Sequence, residues 1–227
     1  MKKSRILSGL LVLTMLSTCI ISGTFAKYTT TETGSDSARV AKWGVNITAN
    51  GTMFADNYAT NDAGVVGAIA QSVITSGGTG DALVAPGTSG DLVESTITGT
   101  PEVAVEVKRV AVLTLNDKWV DGDGKFYCPI KITVNNGTES IDYNGTAYSS
   151  ANEFKSAVEN AINADIKKYG PNTDLSSSSK LDVKWSWPYS VSGENDVKDT
   201  YLGNKAANNG EAATIALSVT TTVTQID

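Results

Sequence analysis

Apolar and polar residues alternate with a period of two in several short segments of the chain. Such alternation is typical of a β-strand that turns one face toward a core. The segments that show it most clearly are residues 39–51, 102–115, 125–137, 180–191 and 213–227. Turn-forming residues such as Pro86 and Gly87 recur between them. Many short strands separated by turns favour a mainly β fold, either a sandwich or a barrel.

Two of these segments carry specific expectations. In residues 39–51, the alternation predicts a half-buried strand whose inward residues are Ala41, Trp43, Val45 and Ile47. In residues 102–115, valines alternate with polar residues up to Arg109, and the apolar set then shifts to Val110 and Val112. This shift predicts either a bulge near Arg109 or a strand that is buried on both faces.

One segment changes to helical periodicity. The apolar residues that recur at helical spacing are Phe154, Val158, Ala161, Ile162 and Ile166. Ser150 and Glu153 have the spacing of a capping box, and Gly170 with Pro171 ends the pattern. The sequence therefore predicts one inserted α-helix at about residues 151–169. The fold expected is a β-sandwich with a helical insertion at 141–175.

The first 26 residues have the layout of a secretory signal peptide. Lys2, Lys3 and Arg5 precede an uncharged, mostly apolar stretch, and Thr24 and Ala26 are small residues at the peptidase positions. Cleavage is expected between Ala26 and Lys27. Two alternatives stay open, an uncleaved membrane anchor and a lipid anchor on Cys19, although polar residues dilute the apolar stretch.

Cleavage would leave 227 − 26 = 201 residues, which suffice for one well-buried domain. We expect an N-terminal arm at 27–38 and a single β-sandwich domain at 39–227. The leader carries three of the 18 Lys and Arg residues and none of the 24 acidic ones, so the remaining charge is 15 − 24 = −9. This acidity argues against nucleic-acid binding and suits a secreted protein.

The sequence contains no histidine, which removes Ser-His-Asp and Cys-His catalysis and imidazole metal sites. The candidate metal ligands are Asp121 and Asp123, which either bind calcium or form a tight turn. No other cofactor is expected. Cys128 lies on an apolar face and is either a buried, inert thiol or a reactive or intermolecular one. Trp185 and Trp187 are either core residues or a sugar-binding platform.

Five stretches together resemble a known family. They are "SGTFAKYTTTETGSDSARVAKW", "LVAPGTSGDLVESTITG", "WSWPY", "DTYLG" and the terminal "TQID". The first looks like the leader junction of the TasA/camelysin family of biofilm-matrix fibre proteins, whose signal peptides are cut by a dedicated signal peptidase. The resemblance implies a jelly-roll β-sandwich, secretion from a Gram-positive cell and assembly into extracellular fibres.

The resemblance also implies how subunits join. In fibre-forming relatives, the N-terminal segment of one subunit completes a sheet in the next. The matching donor residues here are Lys27, Tyr28, Thr29, Thr30 and Thr31. The partners expected are further copies of the chain, accessory or anchoring fibre proteins and the signal peptidase. Camelysin relatives have been described as metalloproteases, a role that the absence of histidine argues against here.

Three functions from different classes remain. The favoured one is a non-enzymatic structural subunit of extracellular fibres, located in the matrix or at the cell surface. The alternative is a monomeric surface or adhesion module that binds a glycan or a host ligand. The third is a secreted, camelysin-like hydrolase that works with carboxylates alone, which would need two acidic side chains in one cleft.

The leader hypothesis predicts a definite N-terminus. The secreted protein should begin at Lys27, because Ala26 occupies the position that a signal peptidase reads and polar sequence starts directly after it. Intact-mass spectrometry of the secreted protein checks this. Retention of residues 1–26, or a diacylglyceryl group on Cys19, would show that the prediction is wrong.

Overall fold

The computed structural model describes residues 39–48, 53–55, 57–59, 72–76, 82–92, 96–135, 140–188, 193–208 and 211–227. The fold described below is that of the unit formed by residues 41–227. The expected leader, the cleavage pair Ala26 and Lys27, and the arm at 27–38 lie outside the described residues.

Short strands make up most of the regular structure. In chain order, the strands are β1 (Asn46–Thr48), β2 (Asn57–Ala59), β3 (Ser72–Thr75), β4 (Ser89–Asp91), β5 (Thr96–Thr98), β6 (Val105–Leu115), β7 (Lys131–Asn135), β8 (Ser140–Asn144), β9 (Lys167–Tyr169), β10 (Asp182–Ser186) and β11 (Ile215–Gln225). The helices are α1 (Ala151–Asn163), α2 (Leu175–Ser178) and α3 (Gly193–Ala206), with a 3₁₀ turn at Gly145–Ala147. The prediction of a mainly β fold is confirmed.

The described strands form antiparallel sheets. The larger ones have the orders β4-β10-β7-β8 and β11-β6-β9, and β1 with β5 and β2 with β3 form two-stranded pairs. The expected turn at Pro86 and Gly87 is present. Gly87 adopts a φ of 84°, which a glycine takes without strain, and Thr88 N–H donates to the Ala85 carbonyl at 3.0 Å.

Both larger sheets and α1 contribute to one hydrophobic core. The buried members from β6, β7 and β10 are Ala111, Leu113, Ile132, Val134, Val183 and Trp185, and those from α1 are Phe154, Val158, Ala161 and Ile162. A smaller cluster joins Ile97, Val105, Val107 and Leu175 at the other end of β6. Because β6 contributes to both clusters, its position fixes the arrangement of the elements packed against it.

The strand β6 is regular, and both expectations for it are wrong. It pairs with β11 in unbroken register from Val105 to Leu115, so no bulge occurs near Arg109. It is also not buried on both faces, because Val110 and Val112 are 57% and 54% exposed. The apolar set shifts along the sequence because Arg109 occupies an inward position and because the outward positions after it hold Val110 and Val112.

Arg109 is accommodated inside the protein by charge pairing. Its Nη1 atom donates to Asp165 Oδ2 at 2.5 Å, and the two side chains are 0% and 2% exposed. Its Nη2 atom donates to the carbonyl of Ser179. Lys167 Nζ lies 3.4 Å from the second Asp165 oxygen. A buried charge is tolerated only when it is paired and hydrogen-bonded in this way.

The predicted helix is real but shorter than expected. Its start is confirmed, because Ser150 caps it by accepting a hydrogen bond from the Glu153 N–H. It ends at Asn163, so the expected extension to residue 169 is wrong. Lys167–Tyr169 instead forms β9 against Val105–Val107. Ile166, expected on the buried face of the helix, is 49% exposed.

Three further expectations differ from the structure. Helices α2 and α3 are present in addition to the single predicted helix. Residues 141–175 contribute β8 and β9 to the sheets as well as α1, so they do not form a purely helical insertion. The strand predicted within 39–51 is reduced to β1, whose side chains are exposed, and Trp43 is 40% exposed.

The Arg109–Asp165 pair generates a stability prediction. Arg109→Met should lower the free energy of unfolding by about 3–5 kcal/mol, because it leaves the Asp165 carboxylate buried with only Lys167 beside it. The double variant Arg109→Met with Asp165→Leu should recover part of this loss, since no carboxylate is then left behind. Urea denaturation measures both values.

Lys184→Met is the matched control. Lys184 Nζ lies 3.4 Å from Asp182 Oδ2, but both side chains are about half exposed. Breaking this surface pair should cost less than about 1 kcal/mol. An Arg109→Met variant that is as stable as Lys184→Met would contradict the role assigned to the buried pair.

Candidate functional site

The strand β11 is at the edge of its sheet. It pairs with β6 along all 11 of its residues, and no described strand pairs with its other side. We call this unpaired side the β11 edge. The strand contains no charged residue, proline or glycine. Those are the features with which proteins usually protect an edge against pairing with another chain.

The opposite edge of the same sheet is covered. Where β9 ends, α1 replaces a neighbouring strand: Asn163 Oδ1 accepts from the Ala111 N–H at 2.8 Å, and Glu159 Oε1 accepts from the Leu113 N–H at 2.8 Å. Two helix side chains thus satisfy backbone donors of β6 that would otherwise face outward. The β11 edge has no such cover among the described residues.

The hydrogen bonds of β6 show which groups β11 turns outward. The Asn116 N–H donates to the Thr214 carbonyl, and the Ile226 N–H donates to the Ala104 carbonyl. Even-numbered residues therefore exchange hydrogen bonds across the β6–β11 pair, and the odd-numbered N–H and C=O groups of β11 face the open side. Thr221 is one of these odd-numbered residues and lies near the middle of the strand.

The core beneath β11 is only partly covered. The inward side chains of β6 are almost all buried, whereas those of β11 are all half-buried, namely Ile215, Leu217, Val219, Thr221 and Val223. The Thr221 hydroxyl oxygen is buried, yet no described group hydrogen-bonds to it. Buried polar groups in native proteins nearly always have a partner. The half-buried row of inward side chains indicates an edge that an additional strand would complete.

The other described edges are short or charged. The outer strand β8 has five residues, and its Asp142 pairs with Lys131 at 2.6 Å. The outer strands β4 and β9 have three residues each, and β9 carries two lysines. Among the described strands, β11 is thus the long, uncharged edge.

The candidate calcium ligands Asp121 and Asp123 differ in exposure and in hydrogen bonding. Asp121 is buried, and its Oδ1 atom accepts hydrogen bonds from the N–H groups of Asp123 and Lys125. Burial by itself raises the pKa of Asp121, but these hydrogen bonds and Lys198, 3.2 Å away, lower it overall. Asp123 is exposed. Within the described residues, no group of three acidic or cysteine side chains has metal-binding geometry.

Both tryptophans of the proposed sugar platform are core residues. Trp185 and Trp187 are buried, so their faces are not available to a sugar. The Trp185 indole N–H donates to the Met53 carbonyl at 2.7 Å, and that of Trp187 donates to Asp199 Oδ2 at 3.2 Å. The core interpretation of this pair is confirmed.

Cys128 is also a core residue. Its side chain is fully buried. Burial raises the pKa of its thiol to about 12, although a hydrogen bond with the Ile130 backbone acts in the opposite direction. A buried thiol that stays protonated is inert. The expectation that Cys128 is buried is therefore confirmed.

No described helix is long and apolar enough to cross a membrane. Comparison with known proteins finds no matching family model, curated protein or solved structure.

The sequence predicted the strand at 213–227 but not its position at a sheet edge. Alternating side chains show which face of a strand is buried, but they do not show which of its sides is paired.

The position of Cys128 generates the next prediction. Cys128→Ser should lower the free energy of unfolding by about 1–2 kcal/mol, because it buries a hydroxyl among apolar groups. It should leave any assembly of subunits unchanged. Urea denaturation and size-exclusion chromatography provide the measurements. A variant as stable as the parent that no longer assembles would show that Cys128 forms an intermolecular disulfide.

The same thiol should make stability depend on alkaline pH. Its pKa is 9.0 in the unfolded chain and about 12 in the folded one. The contribution of the thiol to the free energy of unfolding is therefore complete below pH 9. It is lost as the pH rises toward 12, because between these values the thiol releases its proton only in the unfolded state. The slope should reach about 1.4 kcal/mol per pH unit. Cys128→Ser should show a shallower decline between pH 9 and pH 10.

Proposed function

We propose that the protein is a secreted, non-enzymatic subunit of extracellular fibres, which assembles head to tail by strand donation. The β11 edge is the acceptor, and the N-terminal arm at 27–38 of a neighbouring copy is the donor. The observation that carries this proposal is the 11-residue uncharged edge above a half-covered row of apolar side chains. The arm lies outside the described residues, and its role comes from the sequence.

The arm and the edge match in length. Residues 27–38 would extend over about 40 Å, and the 11 residues of β11 span about 37 Å. Thr29, Thr30 and Thr31 favour extended backbone. Main-chain hydrogen bonds to a sheet edge depend little on side chains, so an arm without large apolar residues is adequate as a donor.

This arrangement yields a filament rather than a closed dimer. The arm of one copy contacts the β11 edge of the next, so the two contacting surfaces differ. Contacts of this kind repeat without closing unless the rotation forms a ring. Leader cleavage between Ala26 and Lys27 would release the arm and so start assembly outside the cell. A jelly-roll arrangement of the sandwich belongs to the same proposal.

Two pairs of variants test the acceptor. Thr221→Pro removes an N–H that faces the open side and is not used by β6, and proline is tolerated at such positions of edge strands. We expect the protein to stay folded but to stop elongating. Thr221→Val is the matched control, because it keeps the N–H and should elongate normally. Electron microscopy and circular dichroism follow elongation and folding.

The second pair of variants tests β11 as the acceptor without proline, in case proline disturbs the fold. Thr220→Lys with Thr222→Lys places charges on exposed positions of β11 and should block pairing. Thr98→Lys with Thr100→Lys adds the same charge at exposed positions outside β11 and should leave elongation intact. Normal filaments from the β11 lysine variant would show that β11 is not the acceptor.

The donor has its own test. Removal of residues 27–38 should leave a folded monomer that cannot elongate, and a synthetic peptide of that sequence should block the edge of the parent protein. If the truncated protein still forms filaments and the β11 variants do not, β11 is the acceptor but a segment other than residues 27–38 is the donor, because two β11 edges paired with each other would close into a dimer.

A further inference from the structure

A small polar pocket lies apart from the β11 edge. It has a volume of about 70 Å³, and its lining residues are Tyr127, Pro129, Asn144, Thr146, Pro188, Asn195 and Asp199. They come from the loop before β7, the end of β8 with its 3₁₀ turn, the end of β10 and the first two turns of α3. We call this site the Asp199 pocket.

Two buried aromatic residues fix the carboxylate in this pocket. Tyr127 OH donates to Asp199 Oδ1 at 2.7 Å, and Trp187 Nε1 donates to Oδ2 at 3.2 Å. Burial and then the bond to Asp199 raise the pKa of Tyr127, so the phenol remains a donor. Each carboxylate oxygen keeps a further lone pair for a ligand. The acceptor is thus held in place before any ligand binds.

Asn144, another lining residue of the pocket, supplies a hydrogen-bond donor. Asn144 Oδ1 accepts from the Thr146 N–H at 3.1 Å and from the Thr146 hydroxyl at 2.9 Å. These bonds fix the orientation of the Asn144 amide and leave its NH₂ group to donate. Asn195 lies one helical turn before Asp199 and on the same face of α3. The rings of Pro129 and Pro188 add apolar walls.

We propose that the Asp199 pocket binds the edge of a neutral sugar. A sugar hydroxyl donates to a carboxylate and accepts from an amide at once, and its C–H groups pack against proline rings. A primary ammonium group has donors only, so it cannot accept a hydrogen bond from the Asn144 NH₂. One water molecule needs about 10–15 Å³ of the pocket's volume of about 70 Å³. The pocket therefore has room for about five waters or for one edge of a sugar ring.

This inference does not depend on the fibre proposal. Glucose, galactose, mannose and N-acetylglucosamine are titrated separately into the secreted protein to about 100 mM and followed by NMR. We expect at least one of them to bind with a Kd of about 1–10 mM. Asp199→Asn should weaken binding at least about tenfold, because one carboxylate acceptor becomes a donor.

Asn195→Trp tests the location of the site. A bulky side chain on the first turn of α3 fills the mouth of the pocket and should abolish binding, while the exposed Asn204→Trp on the same helix should not. The proposal is overturned if none of the four sugars binds. It is equally overturned if Asn195→Trp binds sugar normally, or if methylammonium displaces the sugar from the parent protein.

Discussion

The buried pair of Arg109 and Asp165 is the constraint on which the rest of the structure depends. Desolvation makes an unpaired charge at this depth very costly, so β6 is stable only with the α1–β9 connection in place beneath it. The bond from Arg109 to the Ser179 carbonyl extends the same requirement to the segment after α2. One inward arginine thus fixes the register of β6 against elements from 56 to 70 residues further along the chain.

Because the register of β6 is fixed, its two sides have different neighbours. On one side, β9 pairs with the first part of the strand, and Glu159 and Asn163 accept from its later N–H groups. On the other side, β11 follows β6 in full register and is the outer strand among the described residues. Whatever aligns α1 with β6 therefore also leaves β11 as the outer strand, with its odd-numbered backbone groups facing outward.

Which features could be predicted from the sequence depends on whether their causes are local in the chain. The strands β6, β7, β10 and β11 and the start of α1 were predictable because alternation and the Ser150 cap are local signals. The prediction of a bulge near Arg109 or of a strand buried on both faces was wrong because the partner of Arg109, Asp165, is distant in sequence. Their pairing cannot be recognised from the residues next to Arg109. Helix α3 was missed because its apolar residues are sparse and Val197 is 71% exposed. The contact of Tyr127 with Asp199, 72 residues away, forms only in the folded chain.

The acidity of the chain bears on how an edge such as that of β11 avoids non-specific association. The chain carries a net charge of −6 at pH 7, so copies repel one another at long range and non-specific association is suppressed. The strand β11 carries no charge, so this repulsion is not concentrated where a neighbour would pair. At close approach, unpaired backbone groups and half-covered apolar side chains favour an added strand. Long-range repulsion with short-range attraction along one strand selects an ordered contact over aggregation. This balance is what a chain that polymerises only through its edge requires.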